Sequence, residues 1–122
     1  VVVNAARGWK VPLEAGAGWL SYWLWRLDEH FELPSFRPQF AGLRLPPSHY
    51  FRRQCFTTCE ADEVDLAATI ATLGEDRVMF ASDFPHFDSS RGVVDEFWRE
   101  TRLPDGLKQR VLSDNCLAFY GL

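Results

Sequence analysis

The sequence predicts an α/β fold in which short strands alternate with helices on a parallel sheet. Short apolar runs and amphipathic segments follow one another in the order strand, helix, strand, helix, strand, helix, helix, an alternation typical of βα units. The run 78–81 is apolar without a break, as expected of a strand that is buried on both faces. We therefore expect one α/β domain over residues 1–122, with ligands at the carboxyl ends of its strands.

The first half of the chain predicts a strand, a helix and a loop. A short apolar piece, 11–13, is expected to finish a strand at Glu14. An apolar face recurring at three- and four-residue steps then predicts a helix that follows Gly16 and Gly18. Four prolines within residues 33–48 predict a long loop that could cover a pocket. The apolar face of the helix comprises Leu20, Trp23, Leu24, Leu27 and Phe31.

The second half predicts two strands and three helices. Residues 54–59 are rich in strand formers, and Asp62 and Glu63 are expected to open a helix that Gly74 closes. A second strand is predicted over residues 77–82, and Ser89 or Ser90 is expected to cap the next helix. Each of the three helices has an expected buried face. In chain order, the first face comprises Leu66, Ile70 and Leu73, the second Val93, Val94, Phe97 and Trp98, and the third Leu107, Val111, Leu112, Leu117 and Phe119.

The composition is that of a folded protein and argues against nucleic-acid or membrane partners. Of 122 residues, 47% are hydrophobic and 25% are charged, with 13 basic and 17 acidic side chains. An acidic balance does not favour binding to nucleic acid or to anionic lipid. No apolar stretch approaches the ~18–20 residues that span a bilayer, and no signal-peptide pattern is present. We therefore expect a cytoplasmic protein, and the start at Val1 predicts processing or excision from a longer chain.

The aromatic content and the cysteines set two further expectations. Aromatic residues make up 15% of the chain, and each ring can bury ~150–250 Å². Because so short a chain leaves much of its surface unburied, some rings are expected to face a partner or a missing part of the same fold.

Cys55 and Cys59 lack the two-residue spacing of a zinc knuckle, so all three cysteines are predicted to be buried thiols in a reducing compartment.

The candidate functional residues follow the predicted strands. Glu14, Glu60 and Asp83 each come at or just after the end of a strand, and His86 lies three residues beyond Asp83. Since the carboxyl ends of parallel strands meet at one edge of a sheet, these side chains are expected to approach one another. Helix-terminus charge is the preferred interpretation of Glu60, which stands close to Asp62.

Asp83 and His86 have two interpretations that the sequence leaves open. Both residue types bind divalent metal ions and act as general acids or bases. Alternatively, Asp83 caps the following turn through a side-chain oxygen while His86 packs beside it. Glu14 likewise stands either beside glycines that allow close approach of a ligand, or at a helix start as a structural charge. Trp19 is a candidate for the pocket mouth.

Four segments together resemble the C-terminal part of the amidohydrolase-related proteins, in the branch of the aminocarboxymuconate-semialdehyde decarboxylase relatives. They are residues 14–30, 50–55, 81–86 and 114–121. The resemblance implies a (β/α)₈ TIM barrel, a fold that typically takes ~250 residues. It also implies that this chain supplies about the last three βα units plus a terminal helix, and that the N-terminal portion is absent.

The resemblance also implies roles for the candidate residues. Asp83 would be the metal-binding and catalytic aspartate after the last barrel strand, with a divalent metal ion, expected to be Zn²⁺, as cofactor. The family completes its ligand set with a His-x-His pair and a further His, and this chain has no His-x-His. Glu14 would replace a family histidine in proton transfer, or be only structural, while His86 and Trp19 would shape the substrate pocket.

The expected function is therefore that of a metal-dependent hydrolase acting on a small organic substrate. Activity is expected only together with the missing N-terminal half. The alternatives are a metal-dependent decarboxylase on the same scaffold, and a catalytically incomplete fragment or pseudoenzyme. A complementing N-terminal segment, or other copies in a homo-oligomer, are the expected protein partners, because a partial barrel exposes strand edges.

Overall fold

The fold is mixed α/β and mostly helical in a computed structural model that describes residues 16–87, 91–100 and 102–122. None of the described helices is long and apolar enough to cross a membrane. The elements are α1 (Trp19–Glu32), a 3₁₀ helix (Pro34–Phe40), α2 (Pro47–Gln54), β1 (Thr57–Cys59), α3 (Leu66–Leu73), β2 (Val78–Phe80), α4 (Val93–Glu100), α5 (Asp105–Gln109), a π-helical turn (Arg110–Asp114) and α6 (Asn115–Tyr120).

The two strands form a parallel pair, as the sequence predicts. Thr57 is in register with Val78, and Cys59 with Phe80. The Ala81 amide donates to the Cys59 carbonyl at 2.9 Å, so the carboxyl ends of both strands lie at the same edge. Both strands are shorter than their predicted ranges, and the strand predicted at residues 11–13 lies outside the described residues.

Helix α1 packs through a narrower face than the sequence predicts. Leu20, Leu24 and Phe31 are buried, whereas Trp23 is 38% exposed. Leu20 and Leu24 join one hydrophobic core that includes Cys59 of β1 and Val78 of β2. This core comprises Ala17, Leu20, Leu24, Phe51, Cys55, Cys59, Leu66, Ile70, Leu73, Val78, Phe97, Leu103 and Val111.

The prediction of a long loop at residues 33–48 is wrong. The 3₁₀ helix occupies much of this range and packs against α1, with Phe40 edge-on to Phe31 at a ring-centroid distance of 5.9 Å. Two of the four prolines that favoured a loop instead begin helices, since Pro34 and Pro47 each stand at a first helical position. Proline is tolerated there because its fixed φ suits a helix and its missing N–H would have no helical partner.

Helix α3 begins at Leu66, so the expectation that Asp62 and Glu63 open it is wrong. Asp65, directly before the helix, has a left-handed backbone with φ of 58°, which breaks the helical path ahead of Leu66. Gly74 ends the helix as predicted, with a φ of 110° that favours glycine. The buried face of α3 contains the predicted Leu66, Ile70 and Leu73 together with Thr69.

The predicted inner faces of the last helices are confirmed only in part. In α4, Phe97 is buried, but Val94 and Trp98 are 51% and 40% exposed. In the C-terminal helical region Val111 is buried, whereas Leu117 is 45% exposed. The predicted caps at residues 89 and 90 lie outside the described residues.

Asn115 joins the C-terminal helical region to the start of β2. Its side-chain amide donates to the Glu75 carbonyl at 2.8 Å and to the Val78 carbonyl at 2.7 Å. Asn115 is buried, and its hydrogen bond to Val78 is shielded from water, whereas the bond to Glu75 is partly buried. The side chain therefore holds α6 against the strand that leads to Asp83.

We predict that Asn115→Ala lowers the free energy of unfolding by about 1–3 kcal/mol, because two carbonyls lose their donor and one of the two hydrogen bonds is buried. Urea denaturation of the purified protein measures the change. The matched control is Gln109→Ala, which removes an exposed amide that bonds Asp114 and should change stability by less than ~0.5 kcal/mol. Equal effects of the two substitutions would contradict the assigned role of Asn115.

Candidate functional site

The centre of the candidate site is a contact between Asp83 and His86. Asp83 follows β2 by three residues and is partly buried. Its Oδ1 lies 2.8 Å from His86 Nδ1, and its backbone carbonyl accepts the His86 amide at 2.9 Å. Asp83 has a left-handed backbone with φ of 54°, a conformation that aspartate tolerates better than most residues. The chain therefore turns sharply at Asp83, and the turn brings the two side chains together.

The contact fixes the proton arrangement of the pair. An ionised carboxylate only accepts hydrogen bonds, so Nδ1 of His86 is the donor and the ring is held in one orientation. His86 thus holds one carboxylate oxygen of Asp83, Oδ1, and Oδ2 is the second oxygen of the same group.

Glu63 occupies the same edge of the sheet and binds three backbone amides. Its carboxylate accepts from Ala17 at 2.8 and 3.0 Å, from Gly18 at 2.9 Å and from Glu60 at 3.0 Å. Ala17 and Gly18 lead into α1, and Glu60 directly follows β1. Glu63 thus ties the start of the first helix to the carboxyl end of β1.

The other predicted site residues lie in different surroundings. Trp19 is half-buried, packs against the hydrophobic core and donates from Nε1 to the Gly16 carbonyl at 3.0 Å. Among the described residues no hydrogen bond or ring contact joins Trp19 to Asp83 or His86. Glu14 lies outside the described residues. The backbone of Glu60, which the sequence analysis assigned to a helix end, instead donates to Glu63.

Glu63 is the member of this edge that sequence reasoning missed. Its nearest predicted role was helix-terminus charge on α3, because acidic residues favour the first turn of a helix. The Glu63 carboxylate does lie at a helix terminus, but the helix is α1. The Gly18 amide that it binds there stands 45 residues earlier in the chain. Sequence spacing holds no signal for such a partner, since the pairing depends on how the two segments fold together.

The donor atoms suit a hard divalent cation but do not complete a site for one. Asp83 Oδ2 is a carboxylate oxygen, a ligand common to zinc, manganese and magnesium sites. Within the part of the chain that the structure describes, no group of three or more His, Cys, Asp or Glu side chains is placed to hold a metal ion. The described residues therefore fit the role of one ligand in a larger set.

Cys59 is buried beside this edge and is held in the thiol form. It ends β1 and has no exposed surface. Burial raises its pKa far above the usual range, and the negative charges of Glu63 and Glu60 raise it further. The prediction of buried thiols is confirmed for Cys55 and Cys59, while Cys116 is partly exposed and burial raises its pKa as well.

Comparison with known proteins identifies the family. The amidohydrolase family profile matches residues 14–122. The chain belongs to the amidohydrolase family. No curated protein matches it. The resemblance drawn from the four sequence segments is therefore confirmed at the level of the family.

Solved structures of family members include decarboxylases. The 5-carboxyvanillate decarboxylase from Sphingomonas paucimobilis is 31% identical over 85% of this chain, with a TM-score of 0.69. An amidohydrolase from Mycobacterium avium subsp. paratuberculosis is 20% identical over 92%, with a TM-score of 0.75. A dihydroxybenzoic acid decarboxylase from Polaromonas, solved with bound manganese and the inhibitor 2-nitroresorcinol, is 18% identical over 85%, with a TM-score of 0.62.

The chain covers only a part of each of these structures. It spans 31% of the Sphingomonas enzyme, 27% of the Mycobacterium protein and 31% of the Polaromonas enzyme. The two structures that are less than 25% identical show a likeness of fold alone.

We predict that Cys59 reacts with iodoacetamide at least about tenfold more slowly than Cys116 in the native protein at pH 8. The thiolate is the reacting form, and Cys59 is fully buried with a raised pKa, whereas Cys116 is partly exposed. Mass spectrometry of timed samples measures both rates. In denaturing urea the two rates should converge, and equal rates in the native protein would contradict the prediction.

Proposed function

We propose that this chain is the C-terminal part of a (β/α)₈ barrel in a metal-dependent decarboxylase that acts on hydroxylated aromatic carboxylic acids. The observation that carries the proposal is the placement of Asp83, held by His86 through Oδ1, past the carboxyl end of a buried parallel strand. Active sites of such barrels lie at that end of the strands. A complete barrel typically takes ~250 residues, which agrees with a chain spanning about a third of its neighbours.

The decarboxylase proposal replaces the hydrolase expectation because of the neighbours' reactions. The structure that is 31% identical is a decarboxylase of 5-carboxyvanillate, and another neighbour is a dihydroxybenzoic acid decarboxylase. Both names describe aromatic acids with a ring oxygen substituent. The substrate class proposed here follows from those two names together with the shared family.

Asp83 is proposed to contribute one oxygen, Oδ2, to a divalent metal ion. The remaining ligands would come from segments outside the described residues, supplied by a complementing N-terminal portion. Manganese is the ion bound in a neighbour, so Mn²⁺ replaces Zn²⁺ as the first ion to test. When bound, such an ion would stabilise negative charge on the substrate oxygens.

The residues of this chain would hold and protonate the substrate. His86 binds Oδ1 of Asp83 and so fixes the direction of Oδ2. Loss of CO₂ from an aromatic carboxylate requires one proton to replace the carboxyl group on the ring carbon, and Asp83 is proposed to take up this proton from His86 or from water and hand it on. Glu14 remains a proposed second proton-transfer residue. The exposed rings of Phe84 and Phe87, together with Trp19, are proposed to contact the substrate and keep water from the reacting carbon.

We predict that Asp83→Asn lowers the rate of decarboxylation at least about 10³-fold, because it removes both the anionic ligand and the group that relays the proton. The assay measures CO₂ release from 5-carboxyvanillate and 2,6-dihydroxybenzoate by the Mn²⁺-loaded protein in which this chain occurs. Asp95→Asn is the matched control, since Asp95 is an exposed carboxylate on α4, and it should leave the rate within about twofold of wild type.

Three results would contradict this proposal. A Mn²⁺-loaded wild-type protein that releases no CO₂ while hydrolysing an ester or amide would favour the hydrolase. A protein that binds no metal and turns over no substrate would favour the catalytically incomplete form. Near-normal CO₂ release by the Asp83 variant would remove Asp83 from the mechanism.

A further inference from the structure

We propose that Glu63 is a positioning residue that sets the geometry of the edge on which Asp83 lies. The expected effect of Glu63 on the reaction rate rests on the decarboxylase function proposed above. Its expected effect on the backbone hydrogen bonds rests only on contacts within the described residues. Glu63 is not offered as a catalytic residue, since it acts through the backbone of its neighbours.

The carboxylate of Glu63 is committed to a dense set of hydrogen bonds. It receives three backbone N–H groups through four contacts of 2.8–3.0 Å, from Ala17, Gly18 and Glu60. Space around the carboxylate is tight, because a Cβ on Gly16 would stand 3.2 Å from Glu63 Oε1. Gly16 also has a φ of +60°, so a side chain there would be both strained and crowded.

A short path of backbone contacts connects this carboxylate to Asp83. Glu63 holds the amide of Glu60, the residue next to Cys59 at the end of β1. The Cys59 carbonyl accepts the amide of Ala81 at 2.9 Å. Ala81 stands two residues before Asp83 in the chain. Loss of the Glu63 contacts should therefore loosen the last ladder bond before Asp83 as well as the start of α1.

The chemistry of the position requires a carboxylate of this length. Three N–H donors converge on two oxygens, and the first turn of α1 adds a partial positive charge. α1 has no side-chain cap of its own. Glutamine would present one oxygen and an NH₂ group that cannot accept a hydrogen bond. Aspartate keeps the charge but is shorter by one methylene, so it cannot reach both segments.

The test is amide hydrogen exchange in Glu63→Gln, measured by NMR on the protein in which this chain occurs. Exchange should accelerate at least about tenfold at Ala17 and Gly18, and measurably at Ala81, because hydrogen bonds to a charged group are lost. The matched control is Asp62→Asn, which removes an exposed carboxylate one residue away and should change none of these rates. If the glutamine variant does not fold, Glu63→Asp provides the same comparison.

Faster exchange at Ala17 and Gly18 with unchanged exchange at Ala81 would overturn the proposal, since Glu63 would then cap α1 alone.

Measurement of kcat and KM for the Glu63 variants separates a positioning role from an effect on stability. We expect kcat per metal-loaded site to fall about 10–100-fold with KM changed less than about threefold, because a small displacement of a reacting group is costly. An unchanged kcat per site, with a lower melting temperature only, would also overturn it.

The two proposals fail in different ways. If the wild-type protein releases no CO₂, the proposed function fails, and exchange at Ala81 alone decides the role of Glu63. If the wild-type protein is active and the exchange rate at Ala81 does not respond to the Glu63 variants, the positioning role fails while the function stands.

Discussion

The structure depends on one partly buried interaction at the edge of the sheet, the binding of three backbone amides by the Glu63 carboxylate. Helix α1 begins without a cap of its own, and β1 ends where the chain must leave the sheet, so both termini have backbone N–H groups that need acceptors. A single side chain satisfies both. Because hydrogen bonds to a charged group are stronger than neutral ones, this contact fixes how the helix meets the strand edge.

The same arrangement recurs elsewhere in the chain. α2 has no side-chain cap of its own, and Asp28 of α1 accepts the Ser48 amide at 2.9 Å. Asn115 of α6 donates to carbonyls at and before β2. In each case a polar side chain from one element completes the backbone hydrogen bonding of another. Such contacts are directional, so they fix relative positions that apolar packing alone would leave adjustable.

The sequence predicted what depends on local patterns and missed what depends on distant partners. The parallel strands, the apolar face of α3 and the turn at Gly74 follow from periodicity and from the conformational freedom of glycine. The loop prediction at residues 33–48 failed because proline both breaks and begins helices, and Pro34 and Pro47 begin them. In the site, Asp83 and His86 could be found from their position after a strand, whereas Glu63 could not, because its partners Ala17 and Gly18 precede it by 46 and 45 residues.

The Asp83 and His86 pair explains why the two interpretations of the sequence need not compete. The turn-capping interpretation requires Asp83 to use a side-chain oxygen locally, and Oδ1 does so with His86. The metal-binding interpretation requires a rigid carboxylate oxygen facing a ligand, and a carboxylate anchored through Oδ1 supplies that with Oδ2. Anchoring lowers the entropy that Asp83 would lose on binding an ion, so the local contact prepares the residue for the proposed role rather than excluding it.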